Sequence, residues 1–175
     1  MTALISKQIL EVDVAHHGFC FQESDDFTVP IPFSDGFVQD RFLTEHERRI
    51  DLFSAGHTHT AQVTVEVWDA APAPDPSTGW ECDARAEIET TSGELAIWAM
   101  TLGRADEAVH LADEGGRWHV WMRCTGREEV RLITEAGEDA EGIERYVIQF
   151  WPVGAVGPVG ADRIDGPPSE ARRGP

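Results

Sequence analysis

The chain has 175 residues, of which 41% are hydrophobic and 26% charged, so it can build a packed core and is too apolar for wholesale disorder. Its 32 acidic residues against 14 basic ones give a formal net charge of -18. That balance excludes a direct grip on nucleic-acid phosphates and adhesion to an anionic membrane, both of which need clustered Lys and Arg.

Most of the chain alternates with a period of two. ILEVDVA (9–15) and HGFCFQE (17–23) read as two strands near the N-terminus. DGFVQDRFLTEHERR (35–49) has the one spacing that suits a helix, with Phe37, Arg41 and Phe42 roughly on one face. RRIDLFSA (48–55) is a further strand. The clearest strand is TAQVTVEVWDA (60–70), where Val63, Val65 and Val67 alternate with Gln62, Thr64, Glu66 and Trp68. AAPAPDPSTG (70–79) is a loop, because proline removes backbone donors and fixes φ. CDARAEIET (82–90) and GELAIWAMTL (93–102) flank Ser92-Gly93 and predict a hairpin. EAVHLA (107–112) is short, and Gly115-Gly116 turns the chain into GRWHVWMRC (116–124). ERYVIQFWP (144–152) sets Tyr146, Ile148 and Phe150 on one side and Val147, Gln149 and Trp151 on the other. About nine short strands with frequent turns predict an all-β antiparallel sandwich over residues 1–152. The Gly/Pro-rich stretch 153–175 reads as a flexible tail, and its charges sum to zero, so the whole excess lies in 1–152.

No apolar run approaches the ~20 residues of a spanning helix. The first residues lack the basic start and unbroken apolar stretch of a secretory signal, so a cytoplasmic location is expected. Cys20, Cys82 and Cys124 never form a CxxC pair and read as reduced thiols.

Candidate chemistry is sparse. His57 and His59 stand two apart, so on a strand both imidazoles would reach one metal, as in the metal-binding jelly rolls called cupins. The next acid is Glu66, and only His110 or His119 would complete the set. A polar turn before the 60–70 strand explains the same residues. His16 and His17 are adjacent, so on a strand they point to opposite faces. Cys20 alternates with Phe19 and Phe21 and reads as an inert thiol. There is no GxSxG, HExxH, phosphate-binding Gly loop or calcium-loop spacing. Neither a catalytic residue nor a cofactor is expected.

The acids are unevenly spread. Residues 135–144 hold Glu135, Glu138, Asp139, Glu141 and Glu144 with no base. Residues 11–26 and 66–83 each hold five acids with no Lys or Arg. Such blocks repel themselves unless a cationic partner sits nearby, and opposite potentials speed and orient docking. Six tryptophans include Trp121, on a polar strand side, and Trp80, beside the Pro-rich loop; exposed aromatics of this kind anchor interfaces.

The segments VDVAHHGFCFQE (12–23), ERRIDLFSAGHTHTAQVTVEVWDAA (47–71), GELAIWAM (93–100) and GGRWHVWMRCTG (115–126) occur in an order that resembles the DNA-entry nuclease inhibitors, the competence J family. The resemblance spans roughly residues 10–126 and does not reach 127–152. It implies a β fold and an acidic protein that restrains a nuclease, and it carries over no site residue.

The expectation is therefore a binding protein that docks on and neutralises a basic partner, such as a nuclease, without contacting nucleic acid or membrane. The interface expected is Glu135, Glu138, Asp139, Glu141 and Glu144, with Asp113 and Glu114, and Trp80 and Trp121 as anchors. The competing readings are a cupin-like metal protein using His57 and His59, and a structural homo-oligomer built through sheet edges.

Overall fold

The computed structural model describes residues 1–154 except 75, 77 and 78; the tail expected from 153 onward lies outside the described residues beyond Gly154. In chain order the elements are β1 (Leu4–Ala15), β2 (Gly18–Glu23), β3 (Leu43–His46), β4 (Arg49–Phe53), β5 (Thr58–Trp68), β6 (Cys82–Thr90), β7 (Glu94–Ala99), β8 (Gly103–His110), β9 (Gly116–Thr125), α1 (Arg127–Glu135) and β10 (Glu141–Pro152). None of the described helices is long and apolar enough to cross a membrane.

The strands form two five-stranded leaves. One runs β3-β4-β2-β7-β8 and the other β1-β5-β10-β9-β6. They are joined where Ala15 pairs with Gly18 across the β1–β2 turn. Every pairing is antiparallel except β5 with β10, which is parallel. The leaves nearly meet at both sides. Gln8 Nε2 donates to the Ala108 carbonyl at 3.2 Å, and the Glu87 N–H donates to the Glu45 carboxylate at 2.8 Å. The fold is all-β, as the alternation predicts, and closer to a flattened barrel than to an open sandwich.

The core sits between the leaves. Val63, Val65 and Val67 of β5, Val120 and Met122 of β9, and Ile148 and Phe150 of β10 face Phe19, Phe21, Leu52 and Leu95 of the other leaf. Each such side chain contributes roughly 1.5–3 kcal/mol on burial, which is why the period-two pattern fixes these strands.

Three elements depart from expectation. The hairpin predicted from 82–90 and 93–102 does not form: β6 pairs with β9 while β7 pairs with β2 and β8, so the Ser92-Gly93 turn carries the chain from one leaf to the other. The helix predicted over 35–49 is instead a series of turns leading into β3, a turn and the start of β4. Its aromatics serve different neighbours: Phe37 stacks on Phe53 at 6.3 Å, and Phe42 stacks on Tyr146 at 6.3 Å. The segment lies over the outer side of β2 and β4 because a fully buried Arg49 holds it. Arg49 donates to the carbonyls of Ile31 and Asp35, each at 2.7 Å, and pairs with Asp51 at 2.8 Å. Conversely, α1 forms where the sequence reading placed no helix. Arg131 bridges Glu128 and Glu135 along one face, and Val130 is buried beneath it. The Glu81 carboxylate accepts from the N–H groups of Gly126, Arg127 and Glu128 at the helix start. At the far end Gly137 takes a left-handed φ of 75°; its N–H reaches the Thr134 carbonyl and the Glu138 N–H reaches the Ile133 carbonyl, which closes the helix.

Candidate functional site

One end of the barrel gathers the β1–β2 turn, the loop from β4 to β5, α1 and the start of β10. Beneath its surface lies a polar cluster. Ser54 directly follows β4, His59 points inward from β5, and Glu144 points inward from β10; all three are buried. The Ser54 hydroxyl donates to Glu144 Oε2 at 2.5 Å, and the Gly56 N–H donates to Ser54 Oγ at 3.1 Å. His59 Nε2 therefore acts as donor, 2.8 Å from Ser54 Oγ and 3.2 Å from Glu144 Oε2. Glu144 Oε1 accepts from the Ala55 N–H at 3.1 Å and from Arg127 at 3.0 Å. Arg127 also donates to the Phe53 carbonyl at 3.0 Å. Burial alone would raise the Glu144 pKa. The hydrogen bonds from His59, Ser54 and Ala55, with the Arg127 charge, outweigh it and hold the carboxyl below its ordinary value.

These residue types resemble a hydrolytic triad, but their geometry differs. In a triad the acid orients the imidazole through Nδ1 while the serine meets Nε2. Here both serine and acid crowd Nε2, Nδ1 has no hydrogen-bond partner among the described residues, and the hydroxyl already donates to the carboxylate. The cluster instead ties the β4–β5 loop to β10 and α1. Gly56 permits the close approach: a Cβ there would stand 2.5 Å from His59 Cδ2 and 2.9 Å from Val130.

Above the cluster sit three more histidines. His16 and His17 form the two-residue β1–β2 turn, with φ of 50° and 64°. They are turn residues, not the strand residues that adjacency suggested. His57 packs against both, with ring separations of 4.9 Å and 5.1 Å. His17 Nδ1 lies 3.0 Å from the Ser54 carbonyl, and its ring stacks on Phe53. Burial first, then the neighbouring His17 and His16, lowers the His57 pKa. His57 and His59 do not share a face: His57 precedes β5 and is exposed, while His59 is buried. Among the described residues no group of three His, Cys, Asp or Glu side chains is arranged to hold a metal ion.

The acids expected at an interface separate into several places. Glu138, Asp139 and Glu141 are exposed at this end of the barrel. Asp139 and Glu141 line a hollow of about 180 Å³ together with Asp13, and Glu141 shares a smaller one with Glu11. Glu135 is exposed but held by Arg131 at 2.7 Å. Glu144 is withdrawn into the buried cluster. Asp113 and Glu114 lie at the opposite end, beside the β6–β7 turn, where Asp113 pairs with His110 at 3.4 Å. Trp121 is only 7% exposed, and its indole N–H donates to Asp83 at 2.8 Å. The Arg123 guanidinium lies 4.4 Å from the Trp121 ring and 4.7 Å from that of half-buried Trp80. Sequence reasoning passed over Glu11 and Asp13 as site residues, although their alternation with Val12 and Val14 places both on the outer face.

No family model matches the chain, and no curated protein matches it. Two solved structures share its fold. One is ComJ from Bacillus subtilis, described as an inhibitor of the DNA degrading activity of NucA; it is 14% identical, with a TM-score of 0.56, over 87% of this chain and 99% of that one. The other is crocagin biosynthetic gene J, 16% identical with a TM-score of 0.55, over 85% of this chain and 99% of that one. The chain thus has a ComJ-like fold.

Proposed function

We propose that the chain is a binding protein that docks on a basic protein partner, a DNA-degrading nuclease, and holds it inactive. The observation that carries this reading is uncompensated negative charge at the histidine-bearing end. Glu11, Glu138, Asp139 and Glu141 are exposed, and none of them meets a cationic side chain within ion-pair distance among the described residues. Such a surface repels itself and lowers its energy when a cationic surface covers it. A nuclease is basic where it grips DNA, and an acidic protein can occupy that cleft in place of the substrate. The likeness of fold to a nuclease inhibitor supports the same reading. The fold alone does not decide the partner, since crocagin biosynthetic gene J shares it.

The test is a DNA-cleavage assay with a cognate DNA-degrading nuclease from the same cell. Cleavage should stop at about one equivalent of the chain, and the two proteins should co-elute. A nuclease that cleaves unhindered and elutes alone contradicts the proposal.

A further inference from the structure

The edge of β1 facing away from β5 has no strand partner beyond Ala15, and β8 pairs only with β7. These two unpaired edges face each other across a cleft of about 260 Å³. Its floor is apolar: Val12, Ile97 and Ala99 are buried. One end is closed by the bond from Gln8 to the Ala108 carbonyl. The β8 side is irregular. Register slips between Ala96 and Trp98, so Ala105, Asp106 and Glu107 stand opposite the single residue Ile97. The bulge leaves part of their backbone outside the ladder, and the residues from Arg104 to Glu107 are exposed on both faces of the strand.

The walls carry Glu11 and Asp13 from β1 and Asp106 and Glu107 from β8. Among the described residues none of the four meets a cation, and Asp13 has only the Thr60 hydroxyl at 3.3 Å. Arg104 also lines the cleft, but its guanidinium is committed to Ser24, donating to the carbonyl at 2.9 Å and to the hydroxyl at 2.6 Å. Charge exposed along a free strand edge keeps a second acidic copy from pairing there. The same charge favours a cationic strand, whose backbone finds free donors and acceptors and whose aliphatic stems find an apolar floor.

We infer that this cleft receives an extended Lys- or Arg-bearing segment of the protein partner, laid along the free strand edge with its cationic heads among the four carboxylates. The inference rests on the proposed docking of a basic partner and adds where and how that partner is held.

The probe is the peptide acetyl-Lys-Val-Lys-Val-Lys-Val-Lys-amide, titrated into the full ¹⁵N-labelled chain and followed by amide chemical shifts, with the Glu-Val counterpart as control. Saturable shifts are expected at residues 11–13 and 103–107 with the Lys peptide and none with the Glu peptide. The exposed double variant Asp106→Asn/Glu107→Gln should weaken binding roughly five- to tenfold, as loss of two solvent-screened charge contacts implies. Shifts centred on His16 and His57 or on Asp113, no shifts, or affinity unchanged in the variant would overturn the assignment. A nuclease that binds while residues 103–107 stay unperturbed sinks the cleft and spares the proposed function. A cleft that takes the peptide in a chain that inhibits no nuclease sinks the function and spares the cleft.

Discussion

Glu144 is the residue whose alteration tests the site's construction most severely. Glu144→Gln keeps the side-chain volume and removes the charge that Arg127, the Ser54 hydroxyl, His59 and the Ala55 N–H all address. Removing one partner of a buried ion pair costs about 3–5 kcal/mol, because the other charge is left uncompensated. For a domain of this size that corresponds to a fall in Tm of roughly 6–20 °C. Replacing both partners, as in Glu144→Gln/Arg127→Met, should recover about 0.5–3 kcal/mol relative to the sum of the single changes. The pH dependence has a definite sign. Since the folded-state pKa of Glu144 lies below its ordinary value, its contribution is complete above the unfolded pKa and is lost as pH falls through the folded one. The gap between wild type and Glu144→Gln should therefore narrow on acidification below about pH 4.5. Urea unfolding followed by tryptophan fluorescence measures all of this. A Glu144→Gln cost under about 1 kcal/mol, or strict additivity in the double variant, would show that the cluster is not the clamp described.

Other outcomes follow from the same packing. Gly56→Ala should cost about 1–3 kcal/mol in thermal unfolding, because the added methyl strikes His59 and Val130, neither of which has room to withdraw. Glu23→Gln should cost about 1.5–3 kcal/mol, since the buried carboxylate accepts from the N–H groups of Asp25, Thr91 and Ser92 and from the Ser92 hydroxyl. Although burial opposes ionisation, those bonds lower the Glu23 pKa, so acid unfolding of this variant should begin from a flatter pH profile than wild type. Arg49→Met should expose residues 24–42 to limited proteolysis while leaving the far-UV signal of the strands intact, because the guanidinium is what holds that segment by its carbonyls.

Much of the barrel was legible as alternation, most plainly in β5, where His59, Ala61, Val63, Val65 and Val67 are buried at every second position. Glu144 carried a readable signal too. It extends the row of Tyr146, Ile148 and Phe150 by one step of two, which places it on the buried face, whereas counting it among five clustered acids hid that. The end of α1 was marked by Gly137 and by the Arg131–Glu135 spacing, but acidic composition masked the helix. The role of Arg49 had no local signal, since an arginine in a strand reads as a surface residue until a segment 14–18 positions earlier folds over it. The aromatic spacing of Phe37 and Phe42 misled because each is placed by a distant ring, Phe53 or Tyr146, and not by its own neighbours. The gathering of Glu11 and Asp13 with Asp139 and Glu141 depends on strand order, which alternation does not encode.

The most direct test of charge-led docking is the dissociation constant of the chain and a cognate nuclease, measured by calorimetry across ionic strength. Docking through the acidic surface predicts that Kd rises by at least about tenfold between about 50 mM and about 500 mM salt, as screening shortens the reach of the carboxylates. A tight complex whose Kd stays level over that range would contradict it.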